Sequence, residues 1–311
     1  MSFERIRGRL TAGRPLVVAA DISAGLRARG LSLDVPGALG QLLRENPEEV
    51  LAHHIAEVAC RVDVLTALTA DTTPRALAEV GMEHRSAQLT GRAVDLAREA
   101  AVESPKPVAV AGVLGSDMVS PVAATRLHEE LTEHAERLAV AGCELLIARG
   151  QGSRLNLMAA VVAAARTELP TWAVVEHAAD GGTGADGRMD QLFEALEGAG
   201  ASAVLFEVPN VDLGLSELTR CAPLLEGGRL VAGILLAASD HAMPGFPEEG
   251  DSVAWADRAL DLSIGGARVI GGGAGTTVVH TQALARALGS LHPSFPERNS
   301  DTEHGSEPGG W

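Results

Sequence analysis

The sequence predicts a single (β/α)8 barrel. Short apolar runs alternate with longer amphipathic ones eight times along the chain. The short runs are apolar on both faces, as a parallel sheet covered by helices requires. Eight such units in about 280 residues suit a closed barrel better than a doubly wound sheet. An open α/β sheet of six or seven strands is the alternative.

Each predicted strand is an apolar run bounded by proline, glycine or charge. Asp21 ends the first run, and Pro105 and Pro107 precede the third. Runs of four to eight apolar residues are the usual length of buried strands. The predicted strands are Pro15–Ala20, Val62–Leu68, Val108–Leu114, Glu144–Ala148, Thr171–Val175, Ala203–Phe206, Leu230–Ala237 and Ala267–Ile270.

The longer segments have the periodicity of amphipathic helices. One of them has Pro47 in its first turn and Asn46 before it as the predicted cap. The predicted helices are Pro47–Cys60, Pro121–Ala141, Leu155–Thr167, Met189–Leu196, Leu213–Leu225, Val253–Leu262 and, to close the series, about Thr277–Leu288.

The barrel is expected to span residues 12–290. The lead-in of residues 1–11 is polar and charged, and it does not resemble a signal peptide. Residues 291–311 are rich in Pro, Gly, Ser and charge, so they are expected to be a disordered tail. No apolar run approaches the ~20 residues of a membrane span, and the protein is therefore expected to be soluble and cytoplasmic.

Composition argues against several classes of partner. Lys and Arg number 25 against 41 Asp and Glu, which gives a formal charge of −16. Nucleic acid and anionic membranes both require a basic face and are not expected. Aromatic residues make up only 3% of the chain, so a stacking platform is not expected either. The expected partner is a small-molecule metabolite; a homo-oligomer or an active paralogue is the alternative.

The active site of such a barrel lies at the C-terminal ends of its strands. The catalytic candidates there are His177 after strand five, Glu207 after strand six and His241 after strand seven. These three and Asp240 could meet as metal ligands, but no spacing enforces it and no metal is expected. Further polar residues at the strand ends are Asp21, Ser23, Thr69, Asp71, Ser116, Asp117, Arg149, Glu176 and Ser239.

The segment after strand eight is the most informative one. Its glycines let the backbone approach a ligand closely, and two threonines are placed to cap the next helix, whose N-terminus favours an anion. A tight turn that binds nothing is the alternative, and His280 either orients this loop or is simply packed. The predicted substrate-binding residues of this segment are Gly271, Gly272, Gly273, Ala274, Gly275 and Thr276.

Two other features favour structural interpretations. The glycine-rich stretch from Gly181 to Gly187 is interpreted as a surface loop. Cys60, Cys143 and Cys221 are far apart and form no CxxC pair, so they are interpreted as buried small hydrophobic residues. His53 and His54 fall in the middle of a predicted helix, where a structural role is expected.

The stretch Val269–His280, VIGGGAGTTVVH, resembles the zinc-site signature I-x-G-G-C-C-G-T-T-P-x-H of the homocysteine S-methyltransferase family. Asp21–Gly25 resembles the family's D-G-x-x-G, and Glu45–Glu48 its E-N-P. Asp63–Leu77 resembles its D-I-I-x-T-N-T-F segment, and Asp186-Gly187 its D-G. The resemblance covers about residues 12–290, and it implies a (β/α)8 barrel that transfers a methyl group to the homocysteine thiol.

The departures from the family pattern concern its zinc ion. In the family, three cysteines bind zinc, and the zinc holds the homocysteine sulfur as thiolate. Those positions correspond here to Val208, Gly273 and Ala274, which offer no metal-binding atom, so no zinc cofactor is expected. The family's glutamate for the substrate amino group corresponds to Arg149, and an asparagine after strand two to Leu68. Asp21 matches the family's substrate-binding aspartate.

Three functions remain open. The first is methyl transfer of the family kind without the zinc triad. The second is a changed enzyme that acts on an anionic metabolite through Arg149, Asp21 and the glycine-rich loop, with His177, Glu207 or His241 as acid or base. The third is a non-catalytic barrel that binds a metabolite or pairs with an active relative. Fold does not decide among them.

Overall fold

The protein was analysed as a computed structural model, which describes residues 2–33, 37–115, 123–150, 152–177, 189–226, 230–238 and 249–291. Several predicted features lie outside the described residues. These are the stretch from Gly181 to Gly187, the tail from residue 292 onward, and the strand-end residues Ser116, Asp117, Ser239, Asp240 and His241.

The eight strands form a closed parallel barrel in the order of the sequence, each paired with its neighbours and β1 with β8. The predicted (β/α)8 barrel is confirmed, and the open-sheet alternative is wrong. Every strand begins and ends within two residues of its prediction. The strands are β1 Leu16–Val18, β2 Val64–Thr66, β3 Ala109–Leu114, β4 Leu145–Arg149, β5 Thr171–Glu176, β6 Ala203–Val208, β7 Val231–Leu236 and β8 Val269–Gly272.

Twelve α-helices occupy the described part of the chain. The seven predicted helices are present with shifted ends, and five others were not predicted. The helices are α1 Ser2–Thr11, α2 Ile22–Ala28, α3 Ala38–Glu45, α4 Pro47–Ala59, α5 Pro74–Ala78, α6 Ser86–Val102, α7 Ala124–Ala141, α8 Arg154–Ala165, α9 Met189–Gly198, α10 Val211–Leu225, α11 Glu249–Ile264 and α12 Val278–Leu291.

The start of α4 corrects one detail of the prediction. Pro47 occupies the first turn as expected, where its missing N–H costs nothing. Asn46 stands at the capping position, but its side chain makes no capping hydrogen bond. The first turn therefore relies on Pro47 and on the acidic Glu48 and Glu49, whose charges suit the positive end of the helix.

The barrel interior is filled by alternate residues of the strands, which form one apolar cluster. At the N-terminal end of the barrel, Phe3 and Ile6 of α1 join this cluster, and the Phe3 ring lies 6.3 Å from that of Trp172. The lead-in is thus a helix that closes the bottom of the barrel. The buried carboxylate of Asp63 pairs there with Arg9 of α1 and with Lys106.

Candidate functional site

A cavity of about 280 Å³ opens at the C-terminal ends of the strands, where the sequence predicts the site. Its walls are largely apolar. Its described charged residues are the three acids Asp21, Asp71 and Glu207 and the single base Arg149. The apolar walls include Val18, Leu39, Leu68, Val113, Ile147 and Leu235. The cavity can hold a small molecule with an apolar body and a polar group.

Arg149 is held by two carboxylates from neighbouring strands. Its Nη2 pairs with Oε2 of Glu207, and its Nε lies 3.5 Å from Oε1 of Glu176. The three residues end the inward-facing series of β4, β5 and β6; Glu176 is in register with Glu207, and Arg149 is in register with Val174, from where its long side chain reaches both carboxylates. All three side chains are at most 25% exposed. The positive charge of Arg149 is therefore balanced within the protein.

Asp21 joins the end of β1 to the glycine-rich loop. Its Oδ1 accepts a hydrogen bond from the N–H of Ser23 at 2.9 Å and so caps α2. Its Oδ2 accepts one from the N–H of Gly275 at 3.2 Å. An amide that could bind an external anion is thus directed at the protein's own carboxylate. Asp21 and the glycine-rich loop are therefore hydrogen-bond partners of each other.

Thr276 strengthens the same contact, which we call the seam: the junction between Asp21 after β1 and the glycine-rich loop that leads to α12. Its hydroxyl accepts a hydrogen bond from the N–H of Asp21 at 3.2 Å and donates one to the carbonyl of Gly273 at 2.7 Å. It therefore ties the loop to β1, rather than capping α12 as predicted. Gly272 is needed here because a β-carbon at that position would lie 2.2 Å from the Thr276 Oγ1. Gly275 has a φ of 76°, which favours glycine.

His280 orients the end of this loop. Its Nδ1 accepts a hydrogen bond from the N–H of Thr277 at 3.2 Å, and its ring packs edge-on against Trp255 with 5.1 Å between centroids. Burial lowers the pKa of His280 to about 4, so the ring is neutral at pH 7 and can accept this bond. His280 therefore both bonds to the loop and packs against Trp255, so the two alternatives stated for it hold together.

The three catalytic candidates are not brought together in the described structure. Glu207 lines the cavity and pairs with Arg149. His177 is exposed and lies by a small crevice with Glu217 and Arg220 of α10, away from the lining of the mouth. His241 lies outside the described residues. Among the residues that are described, no group of three or more His, Cys, Asp or Glu could hold a metal ion.

The positions matched to the family's zinc cysteines differ in their surroundings. Val208 is 1% exposed and packs in the layer between barrel and helices, where a β-carbon on Gly214 would lie 3.5 Å from its Cγ2. A β-carbon on Gly273 would lie 3.0 Å from the carbonyl oxygen of Leu235. Ala274 is exposed. These residues supply no metal-binding atom, so they do not fit a zinc ion.

The three cysteines do not replace these ligands. Cys60 follows α4, Cys143 precedes β4 and Cys221 lies in α10; all three are buried and free. Burial raises the pKa of Cys60 and Cys143 to about 12 and that of Cys221 to about 11, so the thiols stay protonated. Their interpretation as buried hydrophobic residues agrees with the structure.

The sequence analysis did not predict that Glu176 pairs with Arg149. The sequence places it at the end of strand five, but His177 was the candidate chosen there. A signal was available, because Arg149, Glu176 and Glu207 stand near the ends of three consecutive strands with opposite charges. Opposite charges near the same ends of neighbouring strands favour a cross-strand ion pair.

A closed barrel of eight parallel strands with a polar cavity at their C-terminal ends defines the class of (β/α)8 barrel proteins with a small-molecule site. Within this class, a family model described as homocysteine S-methyltransferase matches residues 22–288. The chain belongs to this family.

Solved structures agree with this assignment at the level of the fold. The homocysteine methyltransferase MmuM from Escherichia coli, in its metallated form, matches with a TM-score of 0.74 and 21% identity, covering 90% of this chain and 99% of that one. Its oxidized form gives 0.72 and 22%, covering 88% and 96%. Dihydropteroate synthase from Stenotrophomonas maltophilia gives 0.51 and 16%, covering 91% and 95%. No helix in the described ranges is long and apolar enough to cross a membrane.

Proposed function

We propose that this barrel is a divergent member of its family that binds a small metabolite at the barrel mouth without zinc-dependent methyl transfer. The support is chemical. Val208, Gly273 and Ala274 stand where the resemblance places zinc-binding cysteines, and none can ligate a metal. A free thiol has a pKa of about 8.5, so without a metal only a few per cent of homocysteine is thiolate at pH 7.

The charge of the mouth indicates the kind of ligand. Its described lining has three carboxylates and one guanidinium, and that guanidinium is already engaged by Glu176 and Glu207. A second cation placed about 4 Å from a carboxylate gains on the order of 1–4 kcal/mol near a protein surface. A ligand anion would instead compete with two internal carboxylates for Arg149. The ligand that we propose is therefore a molecule with a cationic group and an apolar body.

The roles of the residues follow from their positions. Asp21 and Glu207 attract the cationic group, and Ile147, Leu68 and Leu235 contact the apolar body. Arg149 fixes the orientation of Glu207 through their ion pair. Asp21 also keeps the glycine-rich loop closed through Gly275, so ligand binding and loop position are coupled at one carboxylate.

Three ligands of similar shape and different charge test the proposal. They are methionine methyl ester, which is a cation, methionine, which is a zwitterion, and N-acetylmethionine, which is an anion. A ligand at 100 times its dissociation constant stabilises the protein by about 2.7 kcal/mol, which a thermal-shift assay detects. We expect the ester to stabilise most and the anion least, and Glu207→Gln to weaken the ester's effect.

The opposite order of stabilisation would indicate an anionic ligand. If N-acetylmethionine or phosphate stabilises most, and Arg149→Met abolishes this effect, the changed enzyme with an anionic substrate is the better description. Metal analysis of the purified protein tests the other half of the proposal. We expect zinc well below one ion per chain and no methyl transfer to homocysteine; one tightly bound zinc per chain would refute the proposal.

A further inference from the structure

A cluster of buried polar side chains lies directly behind the barrel mouth. His54 and Glu57 stand one turn apart on α4, both 0% exposed, and Thr281 of α12 is 2% exposed. Among the described residues, five polar atoms of this cluster have no hydrogen-bond partner: both ring nitrogens of His54, both carboxyl oxygens of Glu57 and the Thr281 hydroxyl. Such atoms are rare in folded proteins because each one costs free energy.

The cluster touches both sides of the seam at the mouth. The Glu57 carboxyl interacts with the Thr281 hydroxyl and with the backbone of Ala20, although neither contact reaches hydrogen-bond geometry. Ala20 lines the cavity and precedes Asp21, while Thr281 follows the glycine-rich loop. Glu57 therefore stands behind the closure that Asp21 makes with Gly275.

Glu57 is the group of this cluster that changes charge near neutral pH. Burial raises its pKa to about 7, whereas burial and His53 lower the pKa of His54 to about 3. Among the described residues, the titratable or charged groups near the cluster are His53 and His54 of α4, Cys60 just after it, Arg29 after α2, and His280 and Arg286 of α12. The buried residues of α3 and α6, which also pack against α4, include no titratable group, and the contact after β1 is the uncharged Ala20. The buried groups among these keep one charge state at pH 6–8.5.

We propose that Glu57 is a proton-linked positioning residue for the barrel mouth. With its proton, the carboxyl group is neutral and the seam stays closed. Without the proton, the buried carboxylate is stabilised by water, which reaches it through the cavity that Ala20 lines. Proton loss therefore opens the seam and loosens the contact between Asp21 and the glycine-rich loop.

Hydrogen exchange tests this inference on the whole chain without any ligand, so its outcome is independent of the proposed function. The readout is the protection of peptides that cover residues 16–24 and 270–282 at pH 6 and pH 8.5, corrected for intrinsic exchange. If opening exposes Glu57 to water, the two pKa values of about 7 and 4.5 predict a roughly tenfold loss of protection in these segments. Glu57→Gln should abolish the loss.

The controls separate local coupling from general pH effects. Glu217→Gln changes a buried glutamate on α10, far from the seam in the fold, and should leave the tenfold loss unchanged. If Glu57→Gln retains the loss, or if all peptides lose protection equally, the inference is wrong. Should Glu57→Gln fail to fold, Thr281→Val provides the test. Removing the hydroxyl that favours the carboxylate should move the midpoint of the change to higher pH, and an unchanged midpoint would overturn the inference.

Discussion

Buried neutral histidines should make this protein labile to mild acid. Burial lowers the pKa of His53 and His134 to about 4 and that of His54 to about 3, from 6.5 in the unfolded chain. Because the folded values are depressed, the unfolded state takes up protons first as pH falls. Stability is then full above pH 6.5 and is lost as the pH falls towards 4.

The magnitude follows from these values. Between pH 7.5 and pH 5, each of these three histidines costs about 2 kcal/mol, and so does His280, whose pKa is also about 4; together the four cost about 8 kcal/mol. Glu57 acts in the opposite direction, because its raised pKa of about 7 returns about 2.4 kcal/mol over the same range. The expected net loss of about 6 kcal/mol is a large part of the total stability of a typical protein.

Urea unfolding at pH 5, 6 and 7.5 measures this loss, and His134→Gln isolates one contribution. His134 lies on α7, with its Nε2 3.2 Å from the carbonyl of Thr69, so a glutamine amide can replace its hydrogen bond. The variant should lose about 2 kcal/mol less than the wild type between pH 7.5 and 5. His84 is exposed, and His84→Gln is the matched control for the substitution itself. A parallel profile for wild type and His134→Gln would refute the reasoning.

Three further substitutions test the fold and the site. Asp63→Asn should destabilise the protein by about 3 kcal/mol in urea unfolding, because it leaves Arg9 and Lys106 without their buried partner; Asp95→Asn on the exposed side of α6 should change little. Gly272→Ala should cost about 1–3 kcal/mol by displacing Thr276, whereas Gly91→Ala, with open space in α6, should not destabilise. Arg149→Met should destabilise by about 1–2 kcal/mol, and added salt should reduce this loss because it screens the two remaining carboxylates.

The strands were predictable because a parallel strand covered on both faces must be an apolar run between turn residues. Because both faces of such a strand are apolar, its hydropathy does not show which residues face inward. In β5, Trp172 and Val174 point into the barrel and Ala173 and Val175 away from it, yet all four are apolar. Hydropathy therefore could not separate Glu176, which reaches Arg149, from His177, which does not.

Two of the five unpredicted helices are too short to be recognised from the sequence pattern. The short helices α2 and α5 have seven and five residues, too few to show a helical period.

The ion pairs of Arg149 could not be predicted from the sequence because they depend on the register of three strands, which only the closed barrel supplies. The anion site predicted at Arg149 was a property of one residue, whereas the charge of a site is set by all its neighbours.

The residues that match the family motif and those that depart from it have different positions. Asp21, Gly275, Thr276 and His280 match: the first three make the hydrogen bonds that hold the seam between β1 and the loop before α12, and His280 accepts a bond from Thr277 in that loop. Val208, Gly273 and Ala274 depart, and they would have to supply a metal site. None of the seam's hydrogen bonds uses a side chain at the three departing positions, so the contacts that hold the loop do not depend on those side chains.

Restoring the cysteines should therefore not restore zinc binding in full. In the variant Val208→Cys/Gly273→Cys/Ala274→Cys, the side chain at 208 lies in the apolar layer between the barrel and α10. A β-carbon at 273 would lie 3.0 Å from the backbone of β7. Converging on one ion requires these surroundings to shift, which costs part of the binding free energy. We expect substoichiometric zinc by metal analysis after gel filtration, with the single variant Ala274→Cys as control. One zinc per chain, with a raised melting temperature, would show that the seam alone already defines the family's metal geometry.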